Sequence, residues 1–213
     1  MIRRLKQLSS LVAALALFPA ATSVAAVSGN PSMQDSSTTT VTSPLARLEV
    51  TARYDRGQQK LDIRWNLSNT GDQPLAVFDR GDTMAARRKP LAADGVAEVA
   101  RKPEGDTLVL SHRAMALPQP APTVPPVPLA GRVAADGTRQ AHFQVDLLTV
   151  PAGGVRYCLG VAPFDADDYT PAEKIGEGTW RASFKVVDRQ TLLCTPVFDL
   201  DSGHFASDHT DAE

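Results

Sequence analysis

The sequence predicts an all-β fold: an antiparallel β-sandwich of about eight strands with a long proline-rich loop. Three observations predict it. Apolar and polar residues alternate with period two in several short runs, the pattern of half-buried strands. The 16 Pro and 14 Gly punctuate those runs at the spacing of turns. No long stretch carries apolar residues at helical spacing, and strands do not alternate with helices.

Residues 1–26 have the features of a secretory signal. Arg3, Arg4 and Lys6 form a positive start, Leu11 to Phe18 a short apolar stretch, and Ser23-Val24-Ala25 or Val24-Ala25-Ala26 a cleavage site. That stretch is about half the roughly 20 residues a spanning helix needs, so no membrane span is expected in the mature chain. The expected location is periplasmic or secreted. Residues 27–44 are rich in Ser and Thr and poor in large apolar groups, which predicts a disordered tether.

The domain is expected over residues 45–200. Ala46, Leu48, Val50, Ala52 and Tyr54 alternate with Arg47, Glu49, Thr51 and Arg53. After the turn Asp55 to Gln59, Leu61, Ile63, Trp65 and Leu67 alternate with Asp62, Arg64, Asn66 and Ser68. The two runs predict an antiparallel hairpin with one wet face. Leu75 to Phe78 starts a third strand. Met84 to Lys89 reads as a helical turn or an exposed loop, Val96 to Ala100 as a short strand, and Thr107 to His112 as a better one. Leu117 to Pro128 holds six prolines, which excludes a central strand. Alternation returns at Ala141 to Leu147, at Val155 to Val161 after a Pro-Ala-Gly-Gly turn, and at Trp180 to Val186. Leu192 to Phe198 reads as a last strand, and residues 201–213 as an acidic flexible tail.

The segment Leu61 to Asp79, LDIRWNLSNTGDQPLAVFD, resembles the strand–turn–strand of bacterial immunoglobulin-like domains. Gly71 supplies a permissive turn position, and Pro74 enters the next strand where an edge tolerates it. The Ala141–Leu148 and Val155–Val161 strands look like the second half of such a sandwich. The resemblance implies an exported immunoglobulin-like protein and carries no catalytic residues. The same segment is weakly similar to the domain of BsuPI-type intracellular proteinase inhibitors.

Charge narrows the function classes. The chain has 22 Lys+Arg and 24 Asp+Glu. Removing residues 1–26 takes away three positive charges and no negative ones, leaving 19 against 24, a net charge of -5. An acidic chain with few aromatics is poorly suited to nucleic acid. The expected partner is another envelope or extracellular protein, with oligomeric state open.

The chemistry-bearing residues are few. Cys158 and Cys194 lack a Cys-x-x-Cys spacing and predict one structural disulfide in an oxidising compartment. No Gly-x-Ser-x-Gly elbow occurs, and no His has a recognisable partner motif, so no catalytic residue and no cofactor are expected. His112 and Met115, with Met84 or His142 as further ligands, form a candidate metal pair of the kind a copper carrier uses. Phe164 to Glu177 starts like a calcium loop but has Tyr169, Thr170 and Gly176 where an oxygen ligand, glycine and glutamate belong. Arg87, Arg88 and Lys89 form the one basic cluster, a candidate protein-contact loop. The leading expectation is a non-enzymatic binding or envelope-associated module. The alternatives are a protease inhibitor acting through Arg87 to Pro90 and a periplasmic metal carrier.

Overall fold

The computed structural model describes residues 37–89, 91 and 96–207; the expected leader lies outside the described residues. They form a β-sandwich. Sheet A has the order β1-β2-β3-β8, all antiparallel, from β1 (Ser37–Thr42), β2 (Ala46–Asp55), β3 (Lys60–Asn69) and β8 (Thr138–Asp146). Its inner residues are those the alternation assigns to the core, with Leu48, Val50, Leu61, Ile63 and Leu67 at most 2% exposed. Sheet B is built around β9 (Val155–Pro163). One edge of β9 takes β4 (Leu75–Val77) and β6 (Thr107–His112); the other takes β12 (Thr191–Cys194) and β13 (Phe198–Asp199). Beyond β4 lie β7 (Leu129–Val133), β11 (Thr179–Ala182) and β10 (Tyr169–Pro171). The edge strand β5 (Ala100–Glu104) pairs β6, and β14 (His204–Phe205) pairs β13.

The period of two along β9 divides the interior into two cores. Val155, Tyr157, Leu159 and Val161 face sheet A, whereas Ala162 faces outward with Ala76, Phe78, Ala130 and Ala182. That outer cluster is covered by Val186 of the 3₁₀ turn Phe184–Asp188 and by Ala114. Cys158 and Cys194 are directly opposed on β9 and β12 and form the expected disulfide.

Several expectations need correction. Fourteen strands are present among the described residues, not about eight, because short bridging strands such as β4, β10 and β13 carry too few residues to show a period. Sheet B is not wholly antiparallel, since β6 runs parallel to β9. Its return crosses the outer face of the sheet over Gly160, where an added Cβ would stand 2.6 Å from Gln190 Oε1 and 3.1 Å from Arg113 Cα. Gln190 binds both backbone groups of Ala114 there, fixing the crossing. The proline-rich segment continues it, joining two strands of one sheet rather than two sheets.

The folded chain also starts and ends beyond the expected bounds. Residues 37–42 of the expected tether pair with β2 over six positions, and half-buried Val41 packs on the core. Residues 204–205 of the expected tail pair back on β13, with Leu200 only 5% exposed at the turn. The expected Trp180–Val186 strand stops at Ala182, because Ser183 caps the 3₁₀ turn by accepting from Lys185 N. Residues 96–99 form no strand, and Leu192 to Phe198 divides into β12 and β13 around Pro196.

Candidate binding cleft at the β8 seam

The two lateral seams of the sandwich are closed differently. At one, β1 lies against β14, and Phe205 N donates to Ser37 Oγ at 3.2 Å. At the other, β8 is the terminal strand of sheet A and, among the described residues, pairs only with β3. Helix α1 (Thr83–Arg88) and residues 96–101 lie beside it, with Arg101 Nη1 donating to the Asp146 carbonyl at 2.9 Å. A cleft of about 490 Å³ opens between these elements. Buried Val96 and Val99 and half-buried Leu91 and Phe143 supply its apolar lining, and exposed Arg88, Lys89, Arg101, Glu98 and Asp146 supply charges of both signs.

Local chemistry fixes α1. Asp82 is its N-cap, and its Oδ1 accepts from Met84 N at 2.7 Å and Ala85 N at 2.8 Å. Gly81 before it has φ +68 and sits where a Cβ would come 2.9 Å from Ala97 Cβ. The cluster Arg87-Arg88-Lys89 is therefore the last turn and C-cap of a helix, not an exposed loop. Helical rotation also splits it: Arg88 and Lys89 line the cleft, while Arg87 lines a groove on the other flank.

A polar band lies directly below. Ala97 N donates to the Asp79 carbonyl at 2.8 Å. The Ala97 carbonyl accepts from His112 Nε2–H at 3.0 Å, which leaves Nδ1 to accept from the Tyr157 hydroxyl at 3.0 Å. The His112 ring also meets Phe143 edge-on, at 5.0 Å between centroids. Burial drives the His112 imidazole down to about 4, so it is neutral at pH 7. Burial pushes the Tyr157 phenol well up, and the nearby Asp79 carboxylate adds to this. Asp79 is itself wholly buried, which raises it, while Arg139 and Arg80 pull the other way. Arg139 Nε donates to Asp79 Oδ2, and Arg80 Nη1 donates to Thr179 Oγ1 at 2.8 Å.

The structure places the residues singled out from sequence as follows. His112 lies beneath the cleft lining and has both ring nitrogens engaged, so it has no lone pair for a metal. Met115 is 49% exposed, and His142 lies on the outer face of sheet A with Nε2 on Asp62 at 3.0 Å. Among the described residues no three His, Cys, Asp or Glu side chains form a metal cluster. In the acidic loop, Asp165 caps the 3₁₀ turn Ala166–Asp168, and Asp168 pairs with Arg189. Sequence reasoning missed Asp79, Arg139 and Tyr157. Arg139 carried a usable signal: it shares the inward parity of Ala141, Phe143 and Val145, and a charge on an apolar face needs a buried partner.

The outer face of sheet A is a weaker candidate. Its shallow surface carries Arg47, Arg53, Lys60 and Arg64 against Glu49, Asp55, Asp62 and Asp146, four charges of each sign. Asp62 is held low, against its partial burial, by hydrogen bonds from Gln144 and His142 and by the charges of His142 and Arg64. A balanced, internally bonded face of this kind expresses no preference for a ligand. Among the described residues no helix is long and apolar enough to cross a membrane. No family model, curated protein or solved structure matches the chain.

Proposed function

We propose that this chain is an exported, non-enzymatic binding module that takes up an extended segment of another protein at the β8 seam. The observation that carries the reading is the edge of β8: a nine-residue strand with no strand partner on one side among the described residues, bordering a cleft with apolar lining and a rim of mixed charge. An extended segment added there gains main-chain hydrogen bonds from the strand edge, and its alternate side chains enter the cleft. Export is supported by the signal-like residues 1–26 and by the Cys158–Cys194 disulfide, a bond that persists in oxidising compartments.

The geometry lends less to the alternatives. A substrate-like protease inhibitor offers an extended loop, whereas Arg87 and Arg88 are helical. A metal carrier needs open ligands, whereas His112 is buried and fully bonded.

The test is selection of peptides from a display library by the purified protein, with binding mapped by amide chemical shifts. Shifts are expected at residues 96–101 and 143–146. Ala85→Trp, which fills the cleft from α1, is expected to abolish binding while leaving the circular dichroism spectrum unchanged. Peptides that map elsewhere, or that bind the Trp variant as well as the parent, would overturn the reading.

A further inference from the structure

The opposite flank of α1 carries a second surface that does not depend on the β8 seam. A depression of about 450 Å³ is bounded by α1, by the proline-rich segment and by the connection between β10 and β11. Half-buried Pro125 and Ile175 and 44% exposed Val124 supply its apolar surface, and Arg87, Lys174 and Arg181 its charges. Among the described residues no carboxylate lines it. Among the described residues, none of these three cations makes an ion pair.

We propose that this groove is a docking site for an acidic segment of a partner protein, one apolar side chain flanked by carboxylates. Charge complementarity carries the choice of partner. Three positive side chains converge there on a chain whose formal net charge is -2, so the local sign opposes that of the whole. Desolvated apolar surface at the centre with charges around it is the arrangement of a protein contact. The groove is also preorganised. Thr83 N donates to the Val127 carbonyl at 2.9 Å, and Val127 N returns a bond to Thr83 Oγ1 at 3.1 Å. Proline-rich backbone has little freedom left to lose on binding. A concave apolar surface suits one inserted side chain better than a flat bilayer, and among the described residues the groove offers no aromatic ring on which a nucleic-acid base would stack.

The experiment is fluorescence-anisotropy titration with a labelled peptide of Asp and Glu around a single Leu, against a control with Asn and Gln in their place. Saturable binding is expected for the acidic peptide only, weakening as salt rises. The double variant Lys174→Glu with Arg181→Glu is expected to bind about tenfold more weakly, the sum of two exposed charge contacts. Ala85→Trp, which blocks the β8 seam, is expected to leave this binding unchanged, so failure here and failure of the seam reading are separable. Equal binding of the neutral peptide overturns the proposal. So does full binding by the charge-reversed variant, provided its circular dichroism spectrum matches the parent. Loss of binding in Ala85→Trp, or binding to phosphatidylglycerol vesicles with none to the acidic peptide, likewise overturns it.

Discussion

Arg139 of β8 reaches across the sandwich and donates through Nε to Oδ2 of Asp79, two residues past β4, at 2.5 Å. The Asp79 side chain is 0% exposed and that of Arg139 16%, so the contact is an ion pair between two sheets inside the core. Both charges have left water, and each depends on the other to offset that cost.

Removing one partner strands the other. Asp79→Leu alone is expected to destabilise the fold by about 3–5 kcal/mol in urea unfolding. The double variant Asp79→Leu with Arg139→Met is expected to recover most of that loss, since no buried charge remains uncompensated in the pair. A double variant no better than the single one would show that Asp79 acts mainly through Arg80.

His112 should make stability acid-sensitive. Its folded value is depressed to about 4 from the ordinary 6.5, so the unfolded chain binds more protons between those limits. The contribution of neutral His112 is therefore fully present above about pH 6.5 and lost as pH falls through 4, about 3 kcal/mol in all. Urea midpoints measured from pH 7 to pH 4 should fall with this dependence, and His112→Gln should flatten the slope.

Asp62 offers a contrast. It accepts from His142 and Gln144 at 3.0 Å each, but on the solvent side of sheet A. Asp62→Asn is expected to change stability by less than about 1 kcal/mol, because surface pairs are screened. A loss as large as that of Asp79→Leu would mean that this face is covered in solution.

The crossing over β9 depends on Gly160. Gly160→Ala places a methyl against Gln190 and the Arg113 backbone, with an expected cost of about 1–3 kcal/mol. Adding Gln190→Ala removes the nearer clash but also the two bonds that hold Ala114, so thermal unfolding of the pair should show no recovery.

Reduction of Cys158–Cys194 opens a loop of 36 residues in sequence separation. The chain-entropy model gives a loss of about 4 kcal/mol. Denaturation with and without reductant checks it, and the serine double variant should behave as the reduced protein does.

Much of sheet A was legible because its strands are long and half-wet. Ten residues of β2 and ten of β3 repeat the two-residue period often enough to declare both the strand and its inner face. Sheet B was legible only in part. The alternation of Val155 to Val161 announced β9, but β4, β10, β12 and β13 have two to four residues each, so no period could develop in them. The Thr-rich β1 lacks large apolar residues and owes its form to the edge of β2. Of the cleft, Arg88 and Lys89 stood out as charges, but helical rotation divided their cluster between two flanks.

By itself the sequence determined the all-β class, the hairpin of β2 and β3, the disulfide partners and the exclusion of the proline-rich segment from any central strand. Each follows from neighbours along the chain or from having only two cysteines. The tertiary structure alone decided that β6 runs parallel to β9, that Asp79 meets Arg139, and that His112 is sealed between Ala97 and Tyr157. Those contacts join residues from about 15 to 60 positions apart. Their energies come from burial and pairing, quantities that exist only once the sheets have come together.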